Sequence, residues 1–255
     1  MAKIDYNFVL LLVVLTKIVS MGGGITDDGL SDTTEQLWEE HSPIYINGNE
    51  GFQTTAQSEG WPGNGSLTNP YLIEGLNITS KYQDVLWILS TDVHFQVTNC
   101  HLALLPVPVP LPCYIIIFQN VANAIISNNT LIRSDWGIVL EDCSNITFVN
   151  NEIRHHGEGI RITSSSKNIQ IINNNISGIY FDAIELQGSE DSVISGNRIN
   201  WTIQGIGINI HGGRNNRIHH NNIRNCNSSG IVLDTSEQTH LMENIISNNN
   251  GTGIA

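Results

Sequence analysis

An asparagine followed two residues later by an aliphatic side chain recurs six times in this chain: Asn129–Leu131, Asn151–Ile153, Asn174–Ile176, Asn197–Ile199, Asn221–Ile223 and Asn244–Ile246. The steps between successive asparagines are 22, 23, 23, 24 and 23 residues. A self-similar unit of this length marks a solenoid, in which each unit buries its apolar face only against its neighbours. A second anchor keeps the same beat: Gly137-Ile138, Gly159-Ile160, Ala183-Ile184, Gly207-Ile208, Gly230-Ile231 and Gly253-Ile254.

Between the anchors lie short apolar stretches with a period of two, such as Ile138–Leu140, Ile146–Phe148 and Ile169–Ile171. None is long enough for a helix, so each unit supplies about three short strands separated by Gly/Asn/Ser corners. Stacking pairs each strand with its equivalent above and below, and parallel crossovers are right-handed in the great majority of cases. The predicted fold is all-β: a right-handed parallel β-helix of 22–24-residue rungs. The asparagines Asn129, Asn151, Asn174, Asn197, Asn221 and Asn244 are expected to form a structural ladder of stacked amides. Asparagine also tolerates the left-handed backbone that tight corners require. Cys100 precedes Leu102 as the asparagines precede their aliphatic residues. Cysteine is readily buried, so the slot is expected to point inward.

The remainder of the chain departs from this beat. Residues 1–24 read as an export signal, with Lys3, an apolar run from Phe8 to Leu15, and small residues Ser20 and Gly22–Gly24. That run is too short to span a bilayer. Residues 25–42 are acidic and read as a linker. Residues 43–84, with Trp61, Pro62 and Pro70-Tyr71, read as the N-terminal cap that a solenoid needs over its open end. Rungs occupy 85–255, interrupted by a proline insert at 104–112 that is expected to bulge from a corner. The last unit begins at Gly253-Ile254 and stops, which leads us to expect end-to-end self-association.

Composition narrows the partners. The formal net charge is −13 with only 11 Lys and Arg, which disfavours nucleic acid because phosphate binding needs a basic footprint. Eight N-x-S/T sequons, at Asn64, Asn77, Asn128, Asn145, Asn175, Asn200, Asn227 and Asn250, agree with a secreted, extracellular or cell-surface location. Of the four cysteines, Cys100 and Cys113 flank the proline insert and can close it as a loop. Cys143 and Cys226 lie several rungs apart, beyond disulfide reach.

The N-x-I and G-I anchors from about residue 120 to 255, with the opening GWPGNGSLTNPYLIEGLNI, resemble the β-helix repeats of the pectate-lyase-like superfamily. They are most similar to its NosD-type, carbohydrate-binding and sugar hydrolase branch, and the likeness covers residues 43–255. Lyases, hydrolases, epimerases, copper-site accessory proteins and adhesins share that fold, so the resemblance implies fold and a carbohydrate setting rather than one activity.

If Ile138, Leu140 and their equivalents point inward, two columns point out. One is Val139, Arg161, Glu185, Asn209 and Val232, and the next is Glu141, Thr163, Gln187, His211 and Asp234. Column neighbours lie about one strand spacing apart, which would put Arg161 beside Glu185 and His211 beside Asp234. The resemblance places polysaccharide sites on this face. Candidate binding residues are therefore Arg161, Glu185, Gln187, His211 and Asp234. Glu185, His211 and Asp234 are candidate catalytic groups, since paired carboxylates serve glycoside hydrolysis and an Arg or a Ca²⁺ with carboxylates serves lyase chemistry. The polygalacturonase motifs and the Asp-Pro-His-Asp signature of mannuronan epimerases are absent. His155-His156, His219-His220 and His240 match no zinc spacing. Three methionines weaken a copper site, and Asp182 and Glu190-Asp191 lack a calcium loop. No cofactor is expected on these grounds, with Ca²⁺ or copper as the alternatives. The expected function is that of a carbohydrate-binding or structural protein, with a lyase or hydrolase and a NosD-like copper-site accessory protein as alternatives.

Overall fold

The computed structural model describes residues 38–106, 112–163 and 165–255. The expected export signal and most of the acidic linker lie outside them. Trp38–Ala255 forms one compact unit, a right-handed parallel β-helix whose strands repeat in three columns. The first column, here the Asn sheet, has nine strands, and six of them start beside a ladder asparagine, including Thr130–Ser134, Glu152–His156, Asn175–Ile179, Arg198–Thr202 and Asn222–Cys226. The second, the Gly-Ile sheet, includes Ile44–Asn47, Leu86–Thr91, Ile138–Glu141, Ile160–Thr163, Ile184–Gln187, Ile208–His211 and Ile231–Asp234. The third includes Ser144–Val149, Lys167–Ile172, Val193–Ser195 and Arg217–His219. One long strand, Ile116–Ser127, bends across a corner and joins the second and third columns into a 15-stranded sheet. Every strand pair is parallel and in the register of the sequence period: Ile138 faces Ile116 and Ile160, and Ile153 faces Leu131 and Ile176.

The inward residues form continuous stacks. Ile146, Ile153, Ile162, Ile169, Ile176, Ile199 and Ile223 are fully buried. Each such side chain contributes about 1.5–3 kcal/mol relative to an exposed one, and β-branched isoleucine suits a pleated surface.

The asparagine ladder is continuous. Asn129, Asn151, Asn174 and Asn197 each donate from Nδ2 to the Oδ1 of the next ladder asparagine, at 2.9–3.1 Å. That same Oδ1 accepts the backbone N–H of the residue below, as Asn174 Oδ1 does from Asn151 N at 2.9 Å. The second Nδ2 hydrogen goes to a carbonyl of the preceding corner: Ile126 for Asn151, Phe148 for Asn174, Ile171 for Asn197 and Ile194 for Asn221. Cys100 occupies the slot beneath Asn129. Its N–H donates to Asn129 Oδ1 at 2.9 Å, and its thiol contacts the Ile73 and Thr98 carbonyls.

The left-handed corner falls one residue earlier than the ladder itself. Asn99, Asn128, Asn150, Asn173, Gly196, His220 and Glu243 have φ of 52–67°, while no ladder asparagine is among the positive-φ residues. The ladder residue is extended so that its amide turns inward, and its predecessor makes the bend. The glycine of the second anchor has a steric cause: a Cβ on Gly159 would lie 2.1 Å from the Ala183 carbonyl oxygen, and one on Gly137 1.9 Å from that of Glu158.

The segment expected to cap the N-terminal end contains a helix that the two-residue alternation does not show. Gly48–Glu59 is a 12-residue helix ended by left-handed Gly60. Phe52 on this helix is fully buried, stacked on Tyr71 at 5.1 Å and against Phe95 at 4.9 Å, so it closes the end of the core. Glycine, threonine and serine there have weak helix propensity, and burial of Phe52 and Ala56 supplies the stability instead. Glu39–His41, at the end of the expected linker, is a strand paired with Leu76–Ile78. All four cysteines are free and buried, so Cys100 and Cys113 do not close the insert with a bridge.

Removing one interior ladder amide strands donors and acceptors on three rungs. Asn174→Ala is expected to cost about 2–4 kcal/mol, whereas Asn244→Ala, which accepts from Asn221 but is only half-buried, is expected to cost about 1 kcal/mol. Urea unfolding of both variants checks this, and equal losses would show that the ladder does not act through burial.

Candidate functional site

The outward face of the Gly-Ile sheet carries the expected columns in the expected register. Tyr45, Trp87, Ile117, Val139, Arg161, Glu185, Asn209 and Val232 follow one another across paired strands. Gln187, His211 and Asp234 follow one another in the second column. His211 Nδ1 meets Asp234 Oδ2 at 2.7 Å, with both side chains more than half exposed. Such a surface pair contributes about 0–1 kcal/mol. Glu185 accepts from Gln187 Nε2 at 2.7 Å within its own strand.

Two expectations change. Val139 has no exposed surface and Ile117 is 8% exposed, so the middle of this face is covered although its strand positions point outward. Arg161 turns away from Glu185 to Glu158, three residues earlier on the preceding corner, with its guanidinium 3.1 Å from Glu158 Oε2. The same guanidinium lies over the Trp136 ring at 5.7 Å, a cation–π contact.

Glu158 is therefore the group that column reasoning passes over. Its side chain is 15% exposed. Burial pushes its carboxyl up to about 7 from 4.5, against the pull of Arg161 and with the help of Glu185 and Asp182. Asp135, on the equivalent corner one rung earlier, is pushed by burial to about 6. Asp182 is held differently: it accepts from Ile206 N at 2.7 Å and Asn209 Nδ2 at 2.8 Å. The face thus combines carboxyls that titrate near neutrality, a guanidinium, and aromatic rings at Trp136, Trp87 and the exposed Tyr45, whose ring meets Trp87 edge-on at 5.1 Å. A carboxyl with a pKa near 7 has the proton affinity that general acid–base chemistry needs. A sequence signal for it existed in Gly157-Glu158-Gly159, a carboxylate between two glycines at a corner.

The histidines have other roles. His156 is buried. Its Nε2 faces the Leu131 carbonyl at 3.0 Å and so carries the proton. Its Nδ1 accepts from Ser134 Oγ at 2.7 Å, and that oxygen in turn accepts from Gly137 N. Burial lowers its pKa to about 4, and this neutral imidazole is a corner brace. His219 and His220 approach through their Nδ1 atoms at 2.8 Å, and His220 Nε2 meets Glu243 at 2.5 Å. Among the described residues no three His, Cys, Asp or Glu side chains converge as a metal group. Burial raises the Cys113 and Cys143 thiols to about 11, which keeps them protonated and unreactive.

The two buried groups oppose one another in pH dependence. Glu158 holds a proton in the native state between about pH 4.5 and 7 that the unfolded chain has lost. Its stabilising contribution is full below pH 4.5 and declines as pH rises to about 7. His156 takes up a proton more readily when unfolded, so its contribution is full above pH 6.5 and declines as pH falls toward 4. Glu158→Gln is therefore expected to gain stability relative to the parent on going from pH 4 to pH 8. Thermal unfolding at the two values checks the sign, and a pH-independent difference would place Glu158 among ordinary surface carboxylates.

Known structures share the architecture. The periplasmic alginate epimerase AlgG superimposes with a TM-score of 0.58 at 14% identity, covering 79% of this chain and 50% of the epimerase. PfbA, a surface adhesin of Streptococcus pneumoniae, gives 0.52 at 14% identity, covering 72% of this chain and 64% of the adhesin. The catalytic domain of an α-1,3-glucanase in complex with nigerose gives 0.50 at 13% identity, covering 85% and 47%. The chain thus spans about half the length of the epimerase and the glucanase domain, and identities this low speak for the fold alone. A search of curated proteins found no match. Among the described residues no helix is long and apolar enough to cross a membrane. The sequence matches the right handed beta helix region over residues 44–169 and 114–255, and the chain belongs to this β-helix family.

Proposed function

We propose that this protein binds an extended polysaccharide along the outward Gly-Ile face, outside the cytoplasm. The observation that carries this reading is the half-buried Glu158–Arg161 pair, with the guanidinium over the Trp136 ring and Arg161 in a column that runs from Tyr45 and Trp87 to Glu185 and Asn209. Rungs repeat at ~4.8 Å, so a long linear ligand meets several of them. Aromatic rings offer apolar faces with polar edges, and Arg161 offers a fork for a sugar carboxylate. Similarity to an alginate epimerase, an adhesin and a glucanase bound to nigerose supports a carbohydrate ligand. Lys3 and the Phe8–Leu15 run support export. Exposed Met242, Ile245 and Ile254 support end-to-end association of copies, which light scattering at high concentration tests.

A second reading rests on the Glu158 carboxyl. Protonated near neutrality beside Arg161, it suits a general acid or base in cleaving or rearranging an acidic polysaccharide, with Arg161 holding the sugar carboxylate. Calorimetry against polyuronates and neutral polysaccharides separates the readings. Trp87→Ala and Arg161→Gln are expected to weaken binding at least tenfold. New unsaturated or reducing ends that vanish in Glu158→Gln would establish catalysis. Stoichiometric copper after purification in metal-free buffer would favour an accessory role, and no retention of any polysaccharide would leave a structural spacer.

A further inference from the structure

A cleft away from the Gly-Ile face has the makings of a separate ligand site. It lies where the Asn sheet turns its corner, has a volume of about 250 Å³, and is lined by Trp201, Thr202, Ile203, Asn225, Cys226, Asn227, Asn248 and Asn250. None of these residues belongs to the columns or the carboxyl cluster described above.

Trp201 is the aromatic member. It is 48% exposed and has φ +68°. The equivalent corner position is left-handed on every neighbouring rung, held by Arg133, His155 and Gly178 before it and by Asn225 and Asn248 after it. Glycine and asparagine suit that backbone better than a bulky side chain does. Trp201 adds nothing to the buried core, and its indole lines the cleft instead.

The rest of the lining is amide and hydroxyl. Asn225 Nδ2 donates to Asn200 Oδ1 at 2.8 Å, Asn227 Nδ2 to the Ile203 carbonyl at 2.9 Å and Asn250 Nδ2 to Asn227 Oδ1 at 2.5 Å. These bonds hold the amides in fixed orientations. Asn248 makes no side-chain hydrogen bond among the described residues, so its donor and acceptor are open to a ligand. Thr202 Oγ1 is already committed to the Gly205 carbonyl. No Asp, Glu, Lys, Arg or His lines the cleft. Burial raises the Cys226 thiol, so it stays neutral.

We infer that this cleft is a second saccharide site, built for one uncharged sugar ring, with the Trp201 indole as platform and Asn225 and Asn248 as hydrogen-bond partners. The volume falls below the ~300–1,000 Å³ of sites for larger ligands. An indole face with fixed amides around it pairs apolar C–H surface and hydroxyls at once. The absence of charge in the lining selects against uronates, because a carboxylate there would be desolvated without a partner.

The test uses the full chain, titrated with neutral tetrasaccharides of glucose, mannose and galactose and with oligogalacturonate, read by calorimetry and by the indole N–H signals in NMR. At least one neutral oligosaccharide is expected to bind and shift the Trp201 signal. Trp201→Asn, which places at this corner the residue found one rung on, is expected to weaken that binding at least tenfold without lowering the unfolding midpoint. Asn248→Leu is expected to weaken it several-fold. Trp87→Ala, on the Gly-Ile face, is expected to leave it unchanged, which separates this site from the one proposed above. Unaltered binding in Trp201→Asn, no neutral ligand on the panel, or a Trp201-dependent preference for oligogalacturonate would each overturn the inference.

Discussion

The structure depends on one repeated bond: the side-chain amide of a buried asparagine, shared between its own rung and the next. Each interior ladder residue donates to a carbonyl of the preceding corner and to the amide oxygen one rung on, and accepts both a backbone and a side-chain N–H from the rung before. A tight corner removes backbone groups from the sheet pairing, and in a buried position each unsatisfied one costs about 1–3 kcal/mol. The ladder supplies those partners from within the protein. Because each bond spans two rungs, it also sets the stacking register, and the isoleucine columns follow from that register. Cys100 shows the limit of the device: its backbone N–H still finds Asn129, but a thiol replaces the amide donor with weaker contacts.

The same regularity leaves the outer surface free to vary. A residue pointing outward from a strand affects neither ladder nor core, so one face carries Tyr45 and Trp87 at one end, covered Ile117 and Val139 in the middle, and Arg161 and Glu185 beyond. Corners add a second kind of freedom. Glu158, Asp135 and Asp182 sit on short connections between the Asn and Gly-Ile sheets, where a side chain can lean over the neighbouring strand. The chemistry of the molecule gathers there, on a scaffold rigid enough to hold a carboxyl in a partly desolvated place.

Particular residues show why some features were legible and others were not. The columns were legible because parallel in-register stacking turns a spacing of 22–24 residues into adjacency. His211 and Asp234 meet for that reason. Arg161 does not follow the column, because a long flexible side chain takes the nearest carboxylate, and Glu158 on its own rung lies closer than Glu185 on the next. The Gly48–Glu59 helix was illegible from local propensity, since its stability comes from Phe52 covering the end of a core built by residues far along the chain. A second, exposed amide ladder runs through Asn123, Asn145 and Asn168, and it leaves a weaker trace in the sequence because only Asn123 is followed two residues later by an aliphatic side chain.

By itself, the sequence determined the rung length, the inward residues, the register and the family of folds. Those properties arise from contacts between identical positions of neighbouring repeats, and a periodic pattern records them directly. Only the tertiary structure decided that Glu158 holds its proton to about pH 7, that Val139 is covered, that His156 is a neutral brace, and that Trp201 stands exposed in a left-handed bend. Each of these depends on how much water the surrounding rungs exclude from one point. That exclusion is a property of the packed surface as a whole, and no spacing along the chain encodes it.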